Sequence, residues 1–211
     1  MLTGEPGGYS GCSVSRDDRA GAAAGSGRER IQRAAYELFS RLGIRAVGVD
    51  AVIAQAGVAK MTLYRNFPSK DDLVLDFLDR REERWTEQWL IAEATARASE
   101  PGPRLLAVFD LLGEWFARPD YEGCPFLAAL LEFRDQGHPA GWAAAGHLAR
   151  IRAFLREQAA LAGAADPDSL ARSWHILMNG AIIAAHEGDV QAAERSREAG
   201  ELLLARRGIA F

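Results

Sequence analysis

The chain has 211 residues, of which 48% are hydrophobic and 26% charged, and its formal net charge is −4. This composition is typical of a globular protein and excludes a largely disordered chain. No apolar stretch approaches the roughly 20 residues that a membrane-spanning helix requires, so no membrane partner is expected. The two cysteines, Cys12 and Cys124, predict neither a disulfide framework nor a metal site, and the chain starts without a secretion signal. We therefore expect a cytoplasmic protein without a cofactor.

Residues 1–27 are rich in Gly, Ser and Ala and show no hydrophobic period. We expect a disordered N-terminal arm here. Two alternatives remain open at this point. The arm could embrace DNA, although its two arginines are offset by neighbouring acids, or the start codon could be incorrectly assigned.

Three short helices are predicted within the next forty residues. Apolar residues recur at spacings of three and four over residues 28–42, and Gly43 closes this first helix. A second helix is predicted over residues 49–56. Gly57 then supplies the permissive backbone of a tight turn into a third helix, which Pro68 ends. This arrangement is typical of a helix-turn-helix, in which the third helix is presented to DNA.

The third helix has two distinct faces. Leu63 and Phe67 are four residues apart and point together into a core. The opposite face carries two cations, a phenol and a flexible apolar side chain: Lys60, Met61, Tyr64 and Arg65. Such a face suits a helix lying in a DNA groove, whereas the alternative is an ordinary solvated helix.

A further set of residues in this region carries a family resemblance. The set comprises Ala35, Leu38, Phe39, Gly43, Ala56-Gly57-Val58, Thr62-Leu63-Tyr64, Phe67, Ser69-Lys70 and Leu73. On these residues, the segment 28–77 resembles the N-terminal domain of the tetracycline-repressor (TetR) family of bacterial transcription regulators. Two positions depart from the family pattern. Ile53 stands where members often have Ala, so the first two helices should pack slightly wider. Gly48 falls near a position where many members have Ser or Thr as a phosphate contact.

The groove-facing side chains and the resemblance together predict a double-stranded DNA operator as partner. The predicted DNA-binding residues are Arg45, Gly48, Lys60, Met61, Thr62, Tyr64, Arg65, Asn66 and Lys70. Of these, Thr62 and Lys70 are assigned to phosphates.

Regional charge agrees with this assignment of the DNA-binding surface. Residues 28–70 hold eight Lys or Arg and three Asp or Glu, a balance of +5, whereas residues 71–211 hold 15 bases and 23 acids, a balance of −8. Only one end of the molecule should therefore touch phosphate.

Every segment after Lys70 has a helical pattern, and no strand pattern occurs. The predicted helices cover residues 71–98, 104–117, 124–134, 140–161, 167–187 and 190–207. The predicted fold class is thus all-α with about nine helices. The predicted domains are the arm over 1–27, a helix-turn-helix domain over 28–73, and an effector-binding and dimerisation domain over 74–211.

The helix over residues 167–187 predicts a homodimer. Its apolar surface is too wide for a helix with one buried stripe, and small residues at 180, 181, 184 and 185 allow close helix approach. A large single core could also explain this width. The resemblance implies the same dimer, since the family dimerises through its last two helices, here within residues 167–207.

The body is predicted to bind a small, largely apolar effector. Aromatic side chains concentrate there beside polar groups that core packing does not require, although aromatics at helical spacing are often plain core. The family resemblance implies an effector site between the linking helix and its neighbours. The predicted ligand-binding residues are Trp85, Trp89, Phe109, Leu112, Trp115, Cys124, Phe126, Leu127, Trp174 and Met178.

No catalytic or metal-ligating residue is predicted. His175 has no His or acid four residues away, Cys124 is followed directly by a proline, and no nucleotide-binding or hydrolase motif occurs. The sequence therefore predicts a ligand-responsive DNA-binding regulator, in the family's usual mode a repressor released from its operator by the effector. The alternative is a DNA-binding activator, or a sequence-neutral architectural DNA binder without an effector. The acidic body argues against the architectural binder.

Overall fold

The computed structural model describes residues 25–133 and 137–211, and within these ranges the chain forms nine helices and no strand. In chain order they are α1 (Gly27–Leu42), α2 (Val49–Ala56), α3 (Lys60–Asn66), α4 (consecutive segments Lys70–Arg81, Glu82–Ile91 and Ala92–Arg97), α5 (Pro101–Phe116), α6 (Pro125–Glu132), α7 (Pro139–Leu161), α8 (Pro167–Glu187) and α9 (Ala192–Arg206). The predicted all-α class is confirmed. The predicted arm, up to residue 24, and the predicted helix end at Arg134 lie outside the described residues.

The first three helices pack around one small apolar centre. Ile31 of α1, Val52 of α2 and Leu63 of α3 are each fully buried there. Phe67 follows α3 and is also buried, with the Arg28 guanidinium 4.4 Å from its ring centroid. The apolar face predicted for the third helix is therefore the face that packs.

Helix α4 joins this module to the body. Its first segment buries Phe77 and Leu78, and the ring of Phe77 packs edge-on against the ring of Phe39 in α1. Asp76 of α4 accepts hydrogen bonds from Arg28 at 3.0 Å and from Gln32 at 2.8 Å, which ties α1 to α4. The buried apolar residues of the two parts form one continuous core.

The middle segment of α4, Glu82–Ile91, is wound as a π-helix, which the sequence did not predict. Wider winding of this kind occurs mostly as short insertions within α-helices, often at functional positions. Glu82 at its start is buried and contacts His147 and Arg150 of α7. The partners of the buried Glu82 carboxylate therefore belong to a neighbouring helix and not to α4 itself.

The predicted start of α5 at residue 104 was wrong. The two prolines that flank Gly102 predict a helix break at residues 101–103. The helix instead begins at Pro101, since a proline in the first helical turn gives up only an N–H that would have no partner within the helix. Gly102 allows the C-terminal segment to lie against this turn, because a Cβ there would collide with the backbone oxygen of Ala210.

Helices α5, α7, α8 and α9 form the centre of the body. Trp174 of α8 is fully buried, and its ring lies 5.1 Å from that of Phe109 in α5. Gly200 of α9 lies against both rings, since a Cβ there would come within 2.8 Å of Trp174 and 2.9 Å of Phe109. In the described part of the chain, no helix has the length and apolarity needed to cross a membrane.

Candidate nucleic-acid interface

The fold exposes the polar face of α3, while Leu63 and Phe67 are buried on the other side. We call its four residues the groove face: Lys60, Met61, Tyr64 and Arg65. All four are exposed, and Met61 keeps 65% of its accessible surface. An exposed Met between two cations is unusual on a plain solvated helix, and its side chain suits contact with a base edge.

The turn that presents α3 depends on Gly57. This residue has φ 60° and ψ 42°, the left-handed conformation, and its N–H donates to Ala54 and Ile53 carbonyls of α2. An added Cβ at Gly57 would meet no atom within 4 Å. The backbone angle, rather than crowding, therefore makes this position suited to glycine.

The first four helices differ in how their N-termini are capped. Ser26 and Ser69 form capping boxes on α1 and α4. By contrast, α2 and α3 follow Gly48 and Ala59, and no side-chain hydrogen bond caps either helix. Gly48 is also exposed. Because Gly48 has no side chain that could cap α2, the first amides of this helix remain accessible to an anionic oxygen.

Two predicted DNA contacts are partly used within the protein. Thr62 is half-buried, and its methyl group lies against Gly27 at the start of α1. The Asn66 amide donates to the Thr62 carbonyl at 2.8 Å, and Arg28 donates to the Asn66 carbonyl at 3.0 Å. These contacts hold α3 on α1, so Thr62 and Asn66 are less available than the groove face.

The other predicted contacts lie beside the end of α6. The Arg45 N–H donates to Glu132 Oε2 at 3.0 Å, and the Arg45 guanidinium lies 5.4 Å from the Phe133 ring centroid. Lys70 is half-buried, and this burial lowers its pKa, while the carboxylates of Glu132 and Asp71 act in the opposite direction. Arg45, Gly48 and Lys70 are called the phosphate edge below.

Sequence reasoning missed two acids at this surface. Glu132 is 87 residues away from Arg45 in sequence, so no local spacing could reveal their contact. Asp50 of α2 forms an ion pair with Lys60 at 4.0 Å, with both side chains largely exposed. The charge balance of residues 28–70 includes Asp50, but a charge balance does not place an acid beside the groove face.

The predicted ligand-binding residues separate into distinct groups. Trp85 and Trp89 of α4 pack with Trp115 of α5, at centroid distances of 5.0 to 6.4 Å, and Tyr121 packs edge-on against Trp115 at 4.9 Å. We call these four rings the tryptophan cluster. The Trp85 indole N–H is buried without a hydrogen-bond partner.

The remaining predicted ligand-binding residues lie in other groups. Phe109 packs with Trp174 in the body core, and Met178 and Leu112 are buried. Phe126 lies 5.0 Å from the ring of His147. Cys124 and Leu127 are partly exposed as whole residues. The thiol group of Cys124 is buried, and this burial raises its pKa.

Among the surface clefts of the described residues, two are lined by none of the predicted ligand-binding residues. A cleft of about 510 Å³ lies between the end of α1, the α5–α6 connection and the end of α8, with Arg41, Tyr121, Glu122 and His186 in its wall. Burial of the Tyr121 hydroxyl raises its pKa to about 12, and this hydroxyl donates to the Ile182 carbonyl. Because Tyr121 also packs on Trp115, it lies between this cleft and the three indole rings of the tryptophan cluster. The second cleft, of about 310 Å³, lies beside Arg97, Arg197 and Phe211.

The last two helices leave an apolar face uncovered. Ile176 and Ile183 of α8 keep 70% and 51% of their accessible surface, and Leu202 of α9 keeps 73%. We call these three residues the α8–α9 face. Ala181, which the sequence had offered as an interface position, is 2% exposed and points into the protomer.

Comparison with known proteins gives one consistent result. Residues 31–77 match the profile described as bacterial regulatory proteins, tetR family, and residues 101–200 match a tetracyclin repressor-like C-terminal domain. The chain is 25% identical over 178 residues to the HTH-type transcriptional regulator YjdC of Escherichia coli (strain K12). This alignment covers 81% of this chain and 91% of that protein.

Solved structures agree with these matches. SCO4454, a TetR-family transcriptional regulator from Streptomyces coelicolor, superposes with a TM-score of 0.81 at 28% identity, over 93% of this chain and 97% of that one. A tetR-type transcriptional regulator from Streptomyces avermitilis, sav143, has a TM-score of 0.74 at 31% identity, over 88% of this chain and all of the other.

Proposed function

Because the chain belongs to the tetR family of bacterial regulatory proteins, whose members are DNA-binding transcription regulators and not enzymes, we propose that it is a repressor released from its operator by a small, largely apolar effector. The observation that carries DNA binding is the groove face. Four side chains suited to base edges and phosphates are exposed on a helix that is anchored on its other side by the fully buried Leu63. In a bacterium, such a regulator works in the cytoplasm, where the chromosome lies.

Within the interface, we assign base contacts to Lys60, Tyr64 and Arg65 of the groove face. Arginine and lysine donate to guanine O6 and N7, and tyrosine offers both a ring and a hydroxyl. The phosphate edge contacts the sugar–phosphate backbone of the DNA. Lys70 contributes a positive charge there, and the uncapped start of α2 contributes backbone N–H groups. Thr62 is also assigned to a phosphate, but its side chain is half-buried, so this contact depends on how far its hydroxyl is exposed.

The operator-binding form is a homodimer joined through α8 and α9. The α8–α9 face supports this arrangement, since three large apolar side chains uncovered on two adjacent helices are typical of a subunit interface. We expect a twofold axis through this face to present two copies of α3 to the same side of a duplex. An operator with inverted half-sites fits that symmetry.

The effector site is assigned to the tryptophan cluster. Its three indole rings come from the π-helical segment of α4 and from α5, and the Tyr121 ring comes from the connection after α5. A molecule inserted among these rings would move the helix that carries the DNA-binding module. The unpaired Trp85 indole N–H offers one hydrogen bond to such a molecule. The aromatic surfaces supply most of the affinity for an apolar ligand.

Selection of binding sites from random duplex DNA tests the proposed function. We expect the purified full-length protein to enrich one inverted-repeat sequence, which small apolar compounds of a screening set then release. Enrichment with no preferred sequence would favour the architectural binder. A sequence-specific operator whose complex no compound of the set weakens would argue against effector control.

A further inference from the structure

The end of α6 reaches from the body to the DNA-binding module. The Glu132 carboxylate accepts a hydrogen bond from the Arg45 N–H at 3.0 Å. Its other oxygen lies against Gly43, where an added Cβ would come within 2.7 Å of Oε1. The next residue, Phe133, lies beneath the Arg45 guanidinium. One short segment of the body thus contacts both the backbone and the side chain of Arg45.

The same carboxylate acts on a second cation of this edge. Glu132 is the stronger of two acids that favour the charged form of the half-buried Lys70 ammonium, the other being Asp71. Arg45 and Lys70 both belong to the phosphate edge. The body therefore places one negative charge near two predicted phosphate contacts.

A carboxylate and a phosphodiester offer the same chemistry to these donors. Each presents an anionic oxygen that accepts from a backbone N–H and attracts an ammonium. Both cannot take the Arg45 N–H at once, and like charges brought this close repel. We propose that Glu132 is an internal competitor of DNA phosphate, an autoinhibitory contact that weakens binding to every DNA sequence and is displaced when the duplex docks. This inference rests on the proposed DNA-binding function.

Two substitutions separate charge from geometry at this position. Glu132→Gln keeps an oxygen that can accept from the Arg45 N–H but removes the charge, whereas Glu132→Ala removes both. If Glu132 competes with phosphate, both variants bind DNA more tightly than the parent. If Glu132 only props the loop after α1, the Gln variant binds like the parent and the Ala variant binds more weakly.

The matched control is Glu157→Gln. Glu157 is an exposed acid near the far end of α7, about 27 Å from the start of that helix at 1.5 Å per residue. This variant makes the same change in net charge away from the phosphate edge. It should bind DNA as the parent does.

The test measures dissociation constants by fluorescence anisotropy over a salt series, for both the selected operator and a random duplex. We expect Glu132→Gln to tighten both duplexes by the same factor, about two- to fivefold at low salt, which is the range of an exposed charge pair. The gain should shrink as salt rises. In a Lys70→Met background the gain should be smaller, because one of the two cations near the carboxylate is then absent.

Retention on a heparin column tests the competition without any operator. Glu132→Gln should elute at higher salt than the parent and Glu157→Gln. If the parent prefers no DNA sequence while this shift persists, the proposed regulatory function fails and the competition with polyanions stands. If the parent binds its operator but Glu132→Gln binds no more tightly, to operator or heparin, Glu132 is not a competitor.

Discussion

Replacing Ile183 by Glu should separate the dimer while leaving each protomer folded. Ile183 keeps 51% of its accessible surface, so a longer polar side chain there displaces no core atom. In the dimer the change places two carboxylates at the α8–α9 face, one from each protomer. A buried unpaired charge costs several kcal/mol.

The size of the effect follows from the uncovered area. The exposed fractions of the α8–α9 face add up to about two fully buried aliphatic side chains per protomer, at roughly 1.5–3 kcal/mol each. Association itself consumes much of this gain. A loss of about 3 kcal/mol or more from the substitution therefore weakens the dimer by a hundredfold or more.

Sedimentation velocity at micromolar concentration measures this directly, because the protomer has a mass of 22.9 kDa and the dimer twice that. The parent should sediment as a dimer and Ile183→Glu as a monomer with unchanged helical circular dichroism. Leu161→Glu is the control, since Leu161 is 64% exposed on α7, outside α8 and α9, and should remain dimeric. Ala181→Glu should lose helical signal instead, because that site is inside the protomer. A dimeric Ile183→Glu, or a monomeric Leu161→Glu, would refute the assignment of this face.

Three further outcomes are expected. Gly57→Ala should lower the free energy of unfolding by about 1–2 kcal/mol in a denaturant titration. The reason is that an alanine at this position must adopt the left-handed conformation, although its Cβ would meet no neighbouring atom. An unchanged unfolding midpoint would contradict this turn conformation. An effector that binds the tryptophan cluster should quench tryptophan emission and weaken operator binding by about 5–150-fold, and operator should weaken effector binding by the same factor; quenching without any change in operator affinity would remove the regulatory link. Burial lowers the pKa of His175 to about 4, so below pH 6.5 the unfolded chain takes up a proton that the folded ring does not. Stability should therefore fall from pH 6.5 towards 4, more steeply in the parent than in His175→Gln, and equal slopes would count against this burial.

Local signals were sufficient to predict the DNA-binding module. The spacing of Leu63 and Phe67, the glycine at the turn and the proline after α3 each act within a few residues, so the sequence carries them directly. The groove face was predicted for the same reason, since exposure on a helix follows once its buried face is known.

Contacts between distant segments could not be predicted in this way. Glu132 touches the loop after α1 because the fold brings α6 to it, and no pattern in either segment indicates this. The aromatic residues of the body were recognised as a group, but helix packing divides them into the tryptophan cluster and the core pair of Phe109 and Trp174. The π-helical segment of α4 begins at the buried Glu82, whose partners His147 and Arg150 belong to α7, and local helix propensity does not encode such a contact.

The central claim is that the groove face reads DNA sequence, and the most direct test of it is a specificity ratio measured for three proteins. The ratio compares affinity for the selected operator with affinity for a scrambled duplex, for the parent, Arg65→Ala and Lys70→Ala. A base-reading arginine contributes roughly 1–3 kcal/mol of discrimination, so Arg65→Ala should lower the ratio by about 5–150-fold. Lys70→Ala should weaken both duplexes alike, keep the ratio and give a shallower dependence on salt. If Arg65→Ala kept the parent's ratio, the groove face would not be the surface that reads DNA.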